Sequence, residues 1–186
     1  KNPDRYSVNV GQAGLGLPDR DYYLKDDAKF VETRGKYRTY IEKMLGLANY
    51  PDASSSADAI MALETEIAKL HRPREKRRDR DPTYNPKSQA ELKAFAPDFP
   101  WGDALATAEI PNQNFFVVRE LDAVQALTML FRATPVETWR AYMTFHYLNS
   151  TADVLPVAFD DLSFDFNGRT LSGQPEKRER WKRATT

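Results

Sequence analysis

Cysteine is absent from this chain of 186 residues, and histidine occurs only twice, at His71 and His146. Without cysteine the chain can form no disulfide scaffold and offers no thiolate to a metal ion. A catalytic zinc site needs three protein ligands, commonly two histidines one helical turn apart and a third residue. Neither histidine has such a partner in the sequence, so we expect no metal site in this chain.

Short motifs of other catalytic sites are also missing. The chain has no Gly-x-Ser-x-Gly elbow for a nucleophilic serine, and neither a Gly-x-Gly-x-x-Gly sequence nor a phosphate loop. Gly14 and Gly16 precede Leu17 and Pro18, which indicates a tight backbone path rather than a phosphate-binding turn. We therefore predict no catalytic residue here.

Long apolar runs and an excess of either charge are absent too. No apolar run approaches the ~20 residues of a membrane-spanning helix, and 27 basic residues balance 27 acidic ones. We therefore expect no direct membrane insertion by this chain and no nucleic-acid partner. The length fits one compact domain, or two small ones at most. The first residue is Lys1 rather than Met, which we interpret as the start of a processed or excised segment.

Apolar residues recur at helical spacing in two stretches. The first predicts a helix from about Asp27 to Leu47, with one apolar face made by Phe30, Tyr37, Ile41 and Met44. The second follows a cap-like loop at residues 52–56 and has the apolar stripe Ile60, Leu63, Ile67 and Leu70. We expect these two helices to pack as a hairpin.

Two sequences fit the capping box that opens a helix, Ser88–Glu91 and Thr134–Glu137. The second leads into a stripe that we interpret as core packing rather than a ligand cage: Trp139, Tyr142, Met143 and His146. His146 is then a packed, hydrogen-bonded histidine at the edge of the core. We expect Pro156 to kink or break this helix.

Two segments favour extended structure. Residues 113–118 combine aromatic and β-branched side chains, and residues 163–169 alternate before an Asn-Gly pair, which is a weaker sign. These are short beside the helical stretches. The predicted fold class is all-α, a mainly helical, multi-helix domain with at most one or two short strands.

The densest basic run extends from Arg72 to Arg80, with Glu75 and Asp79 between the basic residues. Three interpretations are open: a phosphate-binding stripe for nucleic acid, a solvated loop whose charges partly neutralise each other, or a polar linker. In the third, residues 78–81 pair with a domain that is not part of this chain. The zero net charge favours the solvated loop over nucleic-acid binding.

The segment Gly14–Leu24 reads Gly-Leu-Gly-Leu-Pro-Asp-Arg-Asp-Tyr-Tyr-Leu. It resembles a signature of the neprilysin and endothelin-converting-enzyme family of zinc metallopeptidases. Further stretches resemble that family in the same order along essentially the whole chain: Asn2–Tyr6, Leu63–Ala68, Arg78–Asp81, Thr83–Asn85, Trp139–Tyr142, Leu171–Gly173 and Arg180–Lys182. Because the chain lacks the cysteines of the vertebrate members, it is more similar to the bacterial type.

The resemblance implies that residues 1–186 form a single helical domain similar to the non-catalytic lid domain of such a peptidase. By implication, the chain caps the active site and limits access to small peptide substrates, and its partner is the catalytic domain of the same polypeptide. The zinc ion and the catalytic residues then belong to that domain. The family also implies a periplasmic or extracellular location. The alternative is a stand-alone helical module that binds peptides or proteins without enzymatic activity.

The resemblance also marks residues with a structural or cavity-wall role: Gly14, Gly16, Pro18, Arg20, Asp21, Tyr22, Tyr23, Arg78, Asp79, Tyr84, Asn85 and Trp181. We expect a buried contact between Arg20 and Asp21, flanked by the two tyrosines, to fix the entry into the first long helix. A direct contact with substrate is the alternative. If the contact is buried, Asp21→Ala destabilises the domain by more than an ordinary surface change.

Overall fold

The computed structural model describes residues 7–77 and 81–177. Its α-helices are α1 Asp21–Leu24, α2 Ala28–Leu47, α3 Ala53–Leu70, α4 Gln89–Phe95, α5 Trp101–Thr107, α6 Leu121–Ala133, α7 Val136–Thr151 and α8 Val157–Ser163. A π-helix, Phe164–Leu171, follows α8 directly, and short 3-10 helices occur at Arg74–Arg77 and Asp81–Thr83. The strands, each of three residues, are β1 Val8–Val10, β2 Asn85–Lys87 and β3 Phe116–Val118.

The mainly helical fold class is confirmed, and the described residues contain three short strands where one or two were expected. The described residues within 1–15 and 65–135 form one compact unit, which we call the sheet unit. Those within 16–64 and 136–186 form a second one, the helical unit. The single domain expected over residues 1–186 stays a prediction.

A three-stranded sheet with the order β1-β3-β2 organises the sheet unit. β3 is parallel to β1 and antiparallel to β2, with Val8 opposite Phe116 and Asn85 opposite Val118. Because β3 is the central strand and is buried, its residues are all apolar. The core beside it consists of Leu92, Ala96, Trp101, Leu105, Phe116, Val118 and Val124. The strand predicted within residues 113–118 is therefore confirmed.

Helix α2 lies at the centre of the helical unit, where it contacts α1, α7 and α8. Its predicted bounds are confirmed to within one residue. The fully buried side chains of this unit include Tyr37, Ile41, Met44, Leu45, Ile60 and Phe145. Arg38 of α2 bonds to Asp58 of α3 at 2.8 Å and to Ser54 Oγ at 2.8 Å, so the two predicted helices contact each other.

Two local expectations were wrong. Residues 53–56 are the first turn of α3 rather than a loop, because the first N–H groups of a helix need no intrahelical partner and serine is tolerated there. Residues 163–169 are helical instead of extended. Their alternation has another cause: Phe166 stacks on Tyr40 with centroids 4.7 Å apart, and a Cβ at Gly168 would lie 2.5 Å from the Phe164 ring.

The helix ends agree with most of the predicted signals. Ser88 Oγ accepts the Glu91 N–H at 3.2 Å while Glu91 accepts the Ser88 N–H at 2.7 Å, which confirms the first capping box. The second capping box is wrong: α7 begins at Val136, one residue after the expected Pro135, and the Thr134 hydroxyl donates to the Leu130 carbonyl of α6 at 2.7 Å. The predicted break is confirmed, since α7 ends before Pro156 and α8 begins after it.

Ser88→Ala should lower the free energy of unfolding by about 1 kcal/mol, because the substitution removes the side-chain acceptor at the start of α4. The midpoint of urea denaturation measures this change. Ser56→Ala in α3 is the matched control, since Ser56 makes no side-chain hydrogen bond among the described residues and alanine favours a helix. Equal midpoints for the two variants would contradict a stabilising cap at Ser88.

Candidate functional site

A buried carboxylate, Glu64 of α3, lies at the centre of the helical unit with an exposure of 0%. Its Oε2 accepts the Gly16 N–H at 3.1 Å and the Tyr23 hydroxyl. Its Oε1 accepts the Tyr37 hydroxyl at 3.0 Å and lies 2.8 Å from His146 Nε2. Each oxygen therefore has two partners. A buried carboxylate needs such partners, because an unpaired one costs several kcal/mol.

The Gly-Leu-Gly-Leu segment is held against this cluster by its own backbone. The Leu17 N–H donates to Tyr23 Oη at 2.8 Å, so two successive N–H groups bond to the Glu64 cluster. A Cβ at Gly16 would lie 1.7 Å from Tyr37 Oη, which leaves no room for any side chain at this position. Gly14 has φ 102°, a left-handed conformation that favours glycine. These two positions therefore need glycine for different physical reasons.

The tyrosines around Glu64 remain hydrogen-bond donors. Burial, reinforced by the nearby Glu64 charge, raises the pKa of Tyr23, Tyr37 and Tyr142 above the ordinary value of a phenol. A phenol with a raised pKa stays protonated at neutral pH, so the hydroxyls of Tyr23 and Tyr37 donate to the carboxylate. The Tyr142 ring also packs on the His146 ring with centroids 4.2 Å apart. The expectation of a packed, hydrogen-bonded His146 is confirmed. Core packing is wrong for Met143 of the same predicted stripe, which is exposed.

The sheet unit contains a second buried carboxylate, Glu120, also with an exposure of 0%. Its Oε2 accepts the Gln12 N–H at 3.1 Å, and its Oε1 accepts Arg77 Nε at 3.1 Å. A Cβ at Gly11 would lie 2.9 Å from this carboxylate. A backbone N–H from a glycine-rich segment therefore approaches a buried glutamate here as well.

These contacts test the interpretations of the basic run from Arg72 to Arg80. Arg77 pairs with Glu120, and Arg72 Nε lies 2.6 Å from Asp122. The solvated-loop interpretation is therefore wrong for these two arginines, which carry structural ion pairs. The linker interpretation rests on residues 78–81, of which 78–80 lie outside the described residues.

Comparison with known proteins identifies the family of this chain. The N-terminal model of peptidase family M13 matches residues 1–186, the whole chain. This chain belongs to peptidase family M13. The predicted resemblance to the neprilysin and endothelin-converting-enzyme family of zinc metallopeptidases is confirmed.

Individual relatives agree with the family match. Zinc metalloprotease 1 of Mycobacterium tuberculosis in its open state has a TM-score of 0.89 and 34% identity over 96% of this chain and 28% of that one. Its complex with an inhibitor has a TM-score of 0.86 and 32% identity over the same shares. Endothelin-converting enzyme 1 of Cavia porcellus is 29% identical over 98% of this chain and 25% of its own length. The M13 chain thus spans about a quarter of the length of these relatives.

The family is one of zinc peptidases, and a zinc site in the M13 chain would need several His, Asp or Glu side chains close together. His71 Nε2 lies 3.1 Å from the Ala13 carbonyl oxygen, and His146 Nε2 faces Glu64. Within residues 7–77 and 81–177, no group of three His, Cys, Asp or Glu residues could hold a metal ion. The described donors therefore do not fit zinc.

The predicted motif residues of the M13 chain have different surroundings. Tyr23 is buried in the Glu64 cluster, and Tyr22 packs edge-on against Phe30 at 4.9 Å. The expected burial of Asp21 is wrong, because its side chain is 38% exposed and pairs with Lys25 at 2.7 Å. Arg20 is half-buried and Pro18 is exposed.

The remaining motif residues lie in the sheet unit or outside the described residues. The Asn85 amide donates to the Val118 carbonyl at 2.9 Å and so joins β2 to β3 beyond the backbone ladder. Tyr84 is 62% exposed and has no role in the core. Arg78, Asp79 and Trp181 lie outside the described residues. A structural or cavity-wall role for the whole set stays a prediction.

Sequence reasoning missed Glu64, Tyr37 as its donor, and Glu120. A signal for the first was present, because Glu64 lies four residues after Ile60 and three before Ile67, on the buried stripe of α3. A carboxylate at a core position needs buried donors. Its partners could not be read from the sequence, since they come from segments far apart in the chain.

Gly16→Ala should lower the stability of the helical unit by about 2 kcal/mol or more, because the new Cβ would overlap Tyr37. The matched control is Gly35→Ala in the exposed middle of α2, where a Cβ meets nothing within 4 Å. That substitution should raise stability by about 0.5–1 kcal/mol. Chemical denaturation followed by circular dichroism measures both, and a loss of stability no larger in Gly16→Ala than in Gly35→Ala would refute the close approach.

Tyr23→Phe should cost about 1.5–3 kcal/mol, because it removes a hydroxyl that donates to a buried carboxylate and accepts the Leu17 N–H. Asp21→Ala should cost about 0.5 kcal/mol or less, since it breaks only an exposed pair one helical turn apart. Thermal melts of the two variants measure the difference, with Tyr84→Phe as the exposed tyrosine control. A larger loss of stability in Asp21→Ala than in Tyr23→Phe would contradict this prediction and support the buried Arg20–Asp21 contact instead.

Proposed function

We propose that this chain is the non-catalytic lid of a zinc-dependent metalloendopeptidase that cleaves small peptides. The observation that carries the proposal is the match of the whole chain to the N-terminal model of family M13, over about a quarter of the length of its relatives. Zinc metalloprotease 1 of Mycobacterium tuberculosis has the same fold over this part of its chain. Zinc and the catalytic groups then come from another part of the same polypeptide.

The buried carboxylates already accept hydrogen bonds from the protein, which supports a structural rather than a catalytic role for this segment. A general base must reach a substrate proton, whereas both Glu64 oxygens already accept hydrogen bonds from the protein. Glu120 is likewise occupied by Gln12 and Arg77. The two glutamates instead hold backbone N–H groups in place, Glu64 that of Gly16 and Glu120 that of Gln12.

An exposed apolar stripe on the helical unit supports a contact with another part of the protein. It consists of Val136, Met143 and Tyr147, at helical spacing along α7, of Val154 in the turn that follows, and of Val157, the first residue of α8. Apolar residues clustered on a surface mark interaction sites more often than scattered ones do. In this proposal the stripe contributes to the contact with the catalytic part. In the alternative, a stand-alone helical binding module, it would receive a separate peptide or protein.

The cellular location follows only from the family, and we propose a periplasmic or extracellular one. Within residues 7–77 and 81–177, no helix combines the length and the apolar character needed to cross a membrane.

The test compares this chain with the longer polypeptide in which the proposal places it. We expect zinc and cleavage of a short fluorogenic peptide only in the longer polypeptide, with little cleavage of a folded protein substrate. Gly16→Ala in the longer polypeptide should lower the ratio of kcat/KM for the short substrate to kcat/KM for the long one, because it destabilises the proposed lid. Gly35→Ala should leave this ratio unchanged. Metal analysis and kcat/KM for a short and a long substrate are the measurements. Stoichiometric zinc with cleavage by this chain alone would refute the proposal.

A further inference from the structure

A cavity of about 590 Å³ lies in the helical unit, between the C-terminal end of α7, α8 and the π-helix. This volume is within the range of small-molecule and peptide subsites. Its wall includes the polar side chains of Asn149, Asp153, Asp160, Asn167 and Lys177. Neither the Glu64 cluster nor the family motifs of the N-terminal block contribute to it.

Two amide side chains in the wall are held in one orientation. Asn149 Oδ1 accepts the Tyr40 hydroxyl at 2.5 Å and Asn167 Nδ2 at 3.1 Å. Asn167 Nδ2 also donates to Ser163 Oγ at 3.1 Å. These bonds use the oxygen of Asn149 and the nitrogen of Asn167. The Asn149 NH₂ donor and the Asn167 oxygen acceptor have no partner within the part of the chain that the structure describes.

The carboxylates in the wall outnumber its one lysine. Lys177 Nζ lies 2.7 Å from Asp160 and 2.8 Å from Asp161, so two carboxylates share one positive charge. Asp153 is exposed and forms no ion pair with any residue among 7–77 and 81–177. A ligand of this cavity therefore meets a negative charge beside the two amides.

The wall is built on an unusual backbone. The eight residues Phe164–Leu171 form a π-helix, a rare conformation that occurs often at functional sites. It places Asn167 and Gly168 in the wall, and only glycine fits at 168, because a Cβ there would lie 2.5 Å from the Phe164 ring. The orientation of the amides therefore depends on a specific local structure.

We propose that this cavity binds a short peptide with a basic side chain. A peptide unit presents one N–H and one C=O, which complement the free Asn167 oxygen and the free Asn149 NH₂. A lysine or arginine next to that unit would pair with Asp153. The choice of a peptide over another amide rests in part on the proposed function.

The test uses the intact protein treated with EDTA, so that no peptide is cleaved. The probe is acetyl-Gly-Arg-Gly-amide, titrated by calorimetry, with the same peptide carrying neutral citrulline in place of arginine for comparison. We expect saturable binding of the arginine peptide and weaker binding of the citrulline peptide. Asp153→Asn should weaken the arginine peptide about two- to fivefold, as for an exposed ion pair, and leave the citrulline peptide unchanged.

Two further variants separate the charge from the main-chain contact. Asp27→Asn removes an exposed carboxylate of the same unit that is not in the cavity wall, and it should change neither affinity. Asn149→Asp keeps the oxygen that accepts from Tyr40 but removes the free NH₂ donor. It should weaken the neutral citrulline peptide about two- to tenfold, as for the loss of one hydrogen bond.

The proposal is overturned if the arginine peptide does not bind saturably, if Asp153→Asn and Asp27→Asn weaken it equally, or if Asn149→Asp leaves the citrulline peptide unchanged. Because these titrations are done without zinc, they can fail while the peptidase proposal holds. Conversely, cleavage assays can refute the peptidase proposal while peptide binding at this cavity remains.

Discussion

A carboxylate buried in the helical unit must have hydrogen-bond donors, and this requirement explains the arrangement around Glu64. The donors come from a loop, from α1, from α2 and from α7, so the chain must bring four segments to one point. If one donor is removed, a buried charge loses part of its solvation by the protein. The cluster therefore stabilises one arrangement of these elements over other packings of the same apolar faces.

The same constraint explains two glycines near the start of the described residues, Gly11 and Gly16. A backbone N–H can reach a buried carboxylate only where no side chain obstructs the approach. In the helical unit, Gly16 lies against Tyr37 with no space for a Cβ. In the sheet unit, Gly11 lies beside Glu120 in a similar way. The packing of backbone against a buried acid thus accounts for glycine at these two positions.

Local signals predicted much of the fold. The bounds of α2, the cap of α4 and the break at Pro156 follow from periodicity, capping chemistry and the geometry of proline, and all three depend on residues close in sequence. The prediction for residues 163–169 failed because alternation was taken as a sign of a strand. There the pattern arises from Phe166 stacking on Tyr40, a contact between residues far apart in the chain.

Collinear motifs and local periodicity predicted the family, the mainly helical class and the positions of α2, α3, α4 and α7, because these signals do not require knowledge of the packed state. The sequence also indicated that His146 is a packing residue. The packed structure was needed to show that Tyr23, rather than Asp21, is buried against Glu64, and that Arg72 and Arg77 form ion pairs. Burial and hydrogen-bond partners depend on contacts between distant segments, and no local pattern specifies those contacts.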